Sequence, residues 1–399
     1  MTSSLPSDTR LGAHEIGAET VIIGAGVIGL AIAQRLARDG RSVLVPERHE
    51  GIVRETSSHN SGVIHAAIYY DTGSLKHRLC WEGNPQLYEW AAAHRVSTRR
   101  TGKLIVALAE EERGGLDEVY QQAIANEARD IERISATRAR ELEPHVPAVE
   151  AIWSPSTGVI DAFALSRSYK VAAGTNGALF AFQHTVLAIE RTPSGFALTV
   201  RDGAGATSTV RCAALINSAG FGAPQVAAML GYPLDGGAHE GIDVPVLRQR
   251  ANAGRYYDII DRAVARLVSH PVYPLPEHAA SGLGLHLTVD VEGGVHLGPS
   301  TEWLAEDAPL NYRNVEDAEW RARFLAAGRR FLPDLRDHQI APGQVGYRPK
   351  LQRPDGTPED FLVWHDRGYV HLGGIESPGS PPACRWQMRW QTRCASAVS

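Results

Sequence analysis

Residues 19–48 read ETVIIGAGVIGLAIAQRLARDGRSVLVPER, and this stretch decides the fold. Val21 to Ile23 form a short apolar run, and Gly24, Gly26 and Gly29 follow at GxGxxG spacing. Val27 to Arg38 then repeat apolar residues at helical period, Asp39-Gly40 stops the helix, and Ser42 to Val45 read as a second strand. The pattern is a βαβ unit, whose parallel strands need cover on both faces. Its first glycine permits the tight turn, the second lets backbone approach a pyrophosphate, and the third lets helix and strand pack closely. Glu47 lies 18 residues after Gly29, at the end of the second strand. An acidic side chain there binds ribose hydroxyls and repels a 2′-phosphate, which leaves FAD or NAD as the dinucleotide. Taken alone, Glu47 reads as a solvated strand end.

The rest of the chain bounds the class of protein. Its 399 residues are enough for about two domains of roughly 150 residues each. Hydrophobic residues make up 43% and charged residues 21%, so a largely disordered chain is excluded. A net charge of -5 argues against a general nucleic-acid binder. No apolar run reaches the length of a membrane-spanning helix, and the polar leader 1–17 reads as a flexible arm rather than a secretion signal. Cysteines at 80, 212, 384 and 394 make neither a metal nor a disulfide spacing, so no metal and a reducing cytoplasm are expected.

Further along, SSHNSGVIHAAIYYDTGS (57–74) reads as a structured loop leading into a helix to about Ala93. Residues 109–144 and 312–331 carry helical patterns. Thr185–Arg201 reads as a strand pair, Ala213–Asn217 as a buried strand, and TVDVEGGVHLGPS as a hairpin. Phe361–Trp364 and Tyr369–Leu372 close the pattern as strands. No Pro/Ser linker separates the halves, so the domains are expected to interleave.

At this point the chain resembles a known family. The segments VIIGAGVIGLAIAQRL, SSHNSGVIHAAIYY, TGKLIVA, SPSTGVID, LINSAG, GGVHLGPS, YRPKLQ and GGIESPG are similar to those of FAD-dependent oxidoreductases of the D-amino-acid oxidase type. SGVIHAAIYY together with GIESPG resembles the L-2-hydroxyglutarate dehydrogenase/oxidase group within it. The resemblance spans roughly 18–379. It implies an α/β fold with a Rossmann-like FAD-binding domain (18–90, 150–225 and 340–399) interleaved with a mixed-sheet substrate domain (91–149 and 226–339). It also implies FAD and oxidation of L-2-hydroxyglutarate to 2-oxoglutarate. The alternatives are an oxidase of another small 2-hydroxy or amino acid, and an NAD enzyme, which only the glycine motif supports.

Under that reading, oxidising a secondary alcohol removes a hydride from carbon and a proton from oxygen. Flavin accepts the hydride, and a histidine is the usual base near neutral pH. His65 lies in the segment that the resemblance places beside the flavin, and is expected to be that base. Two substrate carboxylates call for cations, and arginine binds carboxylate bidentately. Arg348 is the first candidate, with Lys350, Arg255, Tyr256 and Tyr70 behind it. The resemblance implies cofactor contacts at Ser58, His59, Asn60 and Ser61, at the backbone of Val186, at Ala219 and Gly220 after a strand, and at Gly373, Gly374, Ile375 and Glu376. It leaves the electron acceptor open among a quinone, an electron-transfer protein and oxygen. A quinone would bring peripheral membrane association.

Three features depart from the family pattern. Pro46 stands in the second strand, where it cannot donate to a ladder. Ala67 stands where glycine is usual, and adds a methyl group that constrains the backbone. The ending SPPACRWQMRWQTRCASAVS is rich in Trp, Cys, Arg and Pro and has no acidic residue, the composition of a GC-rich gene read out of frame. A frameshifted tail over 380–399 would weaken FAD binding and impair catalysis. A divergent tail would instead place Trp386 and Trp390 on one face of a short helix.

Overall fold

A computed structural model describes residues 16–276, 284–306, 308–351 and 359–377. The chain divides into two compact units, one of residues 1–58, 163–250 and 349–399, the other of residues 59–162 and 251–348.

The first unit is built on the βαβ element. β1 (Ile16–Ile23) leads through the glycine turn into α1 (Val27–Arg38), and β2 (Val43–Glu47) follows. Ile16 and Gly17, expected in the arm, therefore open the first strand. α1 turns Leu30, Ala31, Ala33, Leu36 and Ala37 inward, the stripe expected of a helix packed on a sheet. β1 pairs in parallel with β2 on one side and with Thr207–Asn217 on the other. Leu179–Phe182 extends the sheet in parallel beyond β2, and Tyr369–Gly373 pairs in parallel with Thr207–Asn217. The antiparallel pair Thr185–Thr192 and Gly195–Arg201 completes the far side of this eight-stranded mixed sheet. Pro46 is tolerated because pairing between β1 and β2 ends at Leu44, and its carbonyl still accepts from Gly24 N–H at 3.0 Å.

The second unit is a nine-stranded mixed sheet and a three-stranded sheet. Helix Leu75–His94 starts at Ser74, whose side chain accepts from His77 N–H. The helical pattern expected over 109–144 is broken in two: Arg113–Ala125 and Ala136–Leu142 flank a strand at Glu132–Ser135, capped by Ser135. The helix expected over 312–331 begins only at Ala318, where Asp317 caps it.

The partition differs from the sequence expectation at several stretches. Residues 59–90 and 150–162 belong to the second unit, because Val63–Ile64 pairs with Gly158–Ile160 and Asn84 ties residues 65 and 156 together. Residues 340–348 join it as a strand paired to Gln249–Ile259. Residues 226–250 belong to the first unit, where Tyr232, Val244 and Leu247 enter its core. The tail expectation for 380–399 lies outside the described residues.

Candidate active site

In the first unit, each glycine of the motif is explained by what a side chain would strike. A Cβ at Gly24 would stand 2.8 Å from the Ser218 carbonyl oxygen, and Gly24 itself has φ +102°. A Cβ at Gly29 would collide with the Gly24 carbonyl and stand 2.6 Å from Ser218 Oγ. Ser218 Oγ in turn donates to the Ile23 carbonyl at 2.9 Å, so the strand end at Ser218-Ala219 is packed onto the turn. Gly26 caps α1 without any side-chain hydrogen bond, and the first helical turn carries no acidic residue. Such a helix end favours an anion. Glu47 is buried, and its carboxylate accepts from Ala25 N–H at 2.7 Å and from His49 N–H at 2.8 Å. It is thus fixed at the mouth of the turn with lone pairs left for ribose hydroxyls. These residues fit the dinucleotide part of FAD.

The last turn of the same unit is held by a residue the sequence reading missed. Gln249 donates to the Gly220 carbonyl at 2.9 Å and accepts from Gly374 N–H at 2.8 Å. It fixes two of the loops expected to contact cofactor. Lys350 is paired with Glu376 at 2.8 Å, so both charges are matched inside the protein. Val186 is buried beside a register shift in its strand, and Ser58 Oγ donates to the Glu55 carbonyl. Ser57, missed from sequence, accepts from Val27 N–H at the start of α1.

In the second unit, strand register assembles the site. Tyr257 stands opposite Leu297, Leu297 opposite Leu287, Leu287 opposite Val272, and Val272 opposite Leu104. This row enters one hydrophobic core. Successive side chains of a strand point to opposite faces. The neighbouring residues Tyr256, His286, Tyr273 and Lys103 therefore share the other face. The contacts agree: the Tyr273 and His286 rings stack with centroids 3.8 Å apart, and Lys103 Nζ lies 4.4 Å from the Tyr273 centroid. Arg348, on strand Ile340–Leu351, donates to Asn252 Oδ1 at 2.7 Å and to the Ser300 carbonyl at 3.2 Å and 3.3 Å. Its guanidinium meets no carboxylate among the described residues. Gly254 makes room for it, since a Cβ there would stand 3.0 Å from Arg348 Nη2.

His65 follows strand Val63–Ile64, and Asn84 Nδ2 fixes its carbonyl at 2.9 Å. Burial, with Lys103 adding, pushes the His65 imidazole down to about 3. His286 is likewise pushed down to about 3 by burial, then by Lys103, Arg348 and His65. Both imidazoles are neutral at pH 7. Burial raises the Tyr256 hydroxyl, against the pull of Arg348 and a hydrogen bond with Ser61.

The structure thus brings together His65, Arg348, Tyr256 and Ser61 from the expected set. It separates Arg255, which alternation places on the opposite face: Arg255 pairs with Glu302 at 3.3 Å and lies over the Trp320 ring. Tyr70 contributes its carbonyl to Asn126 and Gln122, fixing the loop. The His59 ring lies 4.4 Å from that of Tyr312, and Asn60 Oδ1 accepts from Gly62 N–H. Ala67 takes φ +59°, the left-handed region glycine prefers, in line with the departure seen in the sequence. Lys103, His286, Tyr273, Tyr69 and Asn84 were missed. The one signal for the first was a lysine inside an apolar strand, TGKLIVA.

Among the described residues, no helix is long and apolar enough to cross a membrane, and no cluster of three or more His, Cys, Asp or Glu is placed to hold a metal ion. Residues 19–383 match the family described as FAD dependent oxidoreductase (DAO). The chain is 33% identical to a mitochondrial L-2-hydroxyglutarate dehydrogenase of Arabidopsis thaliana, over 92% of this chain and 82% of the relative. It is 28% identical to that of Caenorhabditis elegans, over 91% and 89%. Among solved structures it is similar to FAD-bound L-α-glycerophosphate oxidase from Mycoplasma pneumoniae (TM-score 0.77, 23% identity, 92% of each chain). It is also similar to glycine oxidase from Geobacillus kaustophilus (TM-score 0.73, 21% identity, 92% of each chain). With the glycine cradle of the first unit and a family match over nearly its whole length, the chain belongs to the FAD-dependent oxidoreductases of the D-amino-acid oxidase type.

Proposed function

We propose that this chain oxidises L-2-hydroxyglutarate to 2-oxoglutarate with FAD. The observation that carries the proposal is Arg348, a guanidinium held by neutral acceptors and by no carboxylate among the described residues, in one cluster with imidazoles kept neutral. The similarity to L-2-hydroxyglutarate dehydrogenases supports the choice of acid.

FAD, when bound, supplies the two-electron acceptor for the hydride that leaves C2. Arg348 binds the C1 carboxylate with two parallel N–H donors, which fixes the orientation of the C2 hydroxyl. The Tyr256 hydroxyl, buried near Arg348, adds a donor to the same carboxylate. His65 is neutral before substrate arrives and takes the hydroxyl proton as C2 becomes a ketone. Asn84 holds the His65 backbone in place. Glu47, Gly24, Gly26 and Gly29 hold the dinucleotide. A cytoplasmic location, peripheral to the inner membrane when the acceptor is a quinone, completes the reading; re-oxidation rates with a quinone, an electron-transfer protein and oxygen choose among acceptors.

The test is anaerobic mixing of the holoenzyme with L- or D-2-hydroxyglutarate while following flavin absorbance near ~450 nm. Bleaching by the L enantiomer alone is expected. Bleaching by L-glutamate and not by the hydroxy acid would move the reaction to an amine and overturn the reading.

A further inference from the structure

The mechanism leaves the buried lysine beside this cluster unused. Lys103 is 1% exposed, and among the described residues no carboxylate or hydrogen-bond acceptor meets its ammonium. It lies instead over two rings, with Nζ 4.7 Å from the Tyr69 centroid and 4.4 Å from that of Tyr273. The Tyr69 hydroxyl is itself buried and meets no hydrogen-bond partner among the described residues. Burying an unpaired ammonium costs more than two ring faces return. His286 feels both Lys103 and Arg348, so two cations without a counter-ion share one cluster. A ligand that brings two negative charges resolves both.

We infer that Lys103, together with the Tyr69 hydroxyl, binds the second carboxylate of the substrate and makes the enzyme select a dicarboxylic 2-hydroxy acid over a monocarboxylic one. The inference rests on the substrate reading above and adds to it the residues that read the far end of the molecule.

The electrostatics of the free site agree. Burial lowers the Lys103 ammonium to about 7, with Cys80 pulling it partly back. The groups facing it are Cys80, His65, His286, Tyr69 and Tyr273. Burial holds the Cys80 thiol up at about 12 and raises both tyrosines, and both histidines are neutral, so none supplies a negative charge near neutral pH. An arriving carboxylate favours the charged lysine, and binding weakens as the free lysine loses its proton above pH 7.

The experiment compares wild-type, K103M, K103R and Y69F holoenzymes on L-2-hydroxyglutarate and on L-2-hydroxypentanoate, which has the same chain length and a methyl in place of the far carboxylate. K103M is expected to lower the diacid-to-monoacid ratio of kcat/KM by about 100-fold, mostly through KM, and Y69F by about tenfold. K103R keeps most of the preference and removes the rise of diacid KM above pH 7. K103M also raises the melting temperature of substrate-free enzyme, since it removes an unpaired charge; a purely structural lysine would do the reverse. Equal losses on both substrates, or an unchanged ratio, overturn the inference while wild-type oxidation of the diacid leaves the substrate reading standing. Should the wild type oxidise the monoacid and not the diacid, both fall. If K103M fails to fold with flavin, Y69F decides, because its hydroxyl has no internal partner to lose: an unchanged ratio there overturns the inference.

Discussion

Gly254→Ala tests whether the position of Arg348 sets the rate. The new Cβ would stand 3.0 Å from Arg348 Nη2 and 2.8 Å from Pro299 Cβ. Ordinary contacts lie near 3.5 Å or beyond, so each neighbour must retreat by about half an ångström. The arginine tip is the movable part, and its retreat strains the 2.7 Å bond to Asn252 Oδ1 and the two longer ones to the Ser300 carbonyl. A misplacement of about 1 Å in a positioning group costs about 100-fold, so a shift half as large predicts about a tenfold fall in kcat/KM. Overpacking also lowers stability by about 1–3 kcal/mol, so each assay is paired with a thermal melt and a flavin count. Arg348→Lys is the comparator: it keeps the charge and loses the fork, and should fall further than Gly254→Ala. A folded, flavin-replete Gly254→Ala enzyme with wild-type kcat/KM would refute the assignment of Arg348 as the group that orients the acid.

His65→Gln should lower kcat by about 10² to 10⁴ with flavin content unchanged, the range for removing a proton acceptor, and full activity in single-turnover flavin reduction would dismiss His65 as the base. Glu47→Ala removes the acceptor set at the glycine turn and should weaken FAD binding by about 10- to 100-fold, read by flavin titration of stripped protein; an unchanged affinity would leave Glu47 only a brace of the turn. Three buried histidines make the fold acid-sensitive: His65 and His286 are pushed down to about 3 and His371 to about 4, each chiefly by burial. Each folded value lies below the ordinary 6.5, so the unfolded chain takes up protons first and stability falls as pH drops from about 6.5 toward 3–4. His286→Phe should make that fall shallower in a melting series, and an identical slope would sink the argument.

How much was legible follows from how far apart the informative residues lie. The βαβ unit could be read because its strand, turn and helix are contiguous and each has its own period. His65 and Arg348 stand out because the family resemblance marks their segments and their types suit proton transfer and carboxylate binding; taken alone, His65 reads as a core residue. Lys103, Tyr273 and His286 are separated by as much as 183 residues in the chain (286 − 103), and only the ladder Leu104–Val272–Leu287 brings them level. Only Lys103 has a local mark, as a lysine beside the apolar run LIVA. Arg255 shows the opposite error. Residue type groups it with Tyr256, but adjacent residues of a strand face apart; the alternation that sends Tyr257 into the core takes Arg255 with it, toward Glu302. The split of 109–144 into two helices and a strand turned on Ser135, a capping residue inside a charged run that otherwise read as one helix.

The same register separates the core of the second unit from the proposed site. In the second unit, residues 104, 272, 287, 297 and 257 form a continuous apolar row that holds the sheet together. Their alternating neighbours at 103, 273, 286 and 256 lie on the other face, with the proposed site, and stand outside that core. Exchanging the second set leaves the first intact, so substrate choice is free to drift while the backbone stays. Around that face lie two neutral histidines, an arginine and a lysine that meet no carboxylate among the described residues, and the Tyr69 hydroxyl, which meets no hydrogen-bond partner among them. A monoanion would leave one of the two cations bare in the interior, and an amino acid would add a third positive charge beside them. A dianion with a neutral hydroxyl between its ends meets every one of those groups, which makes charge count, more than shape, the reason this site should prefer a hydroxy diacid.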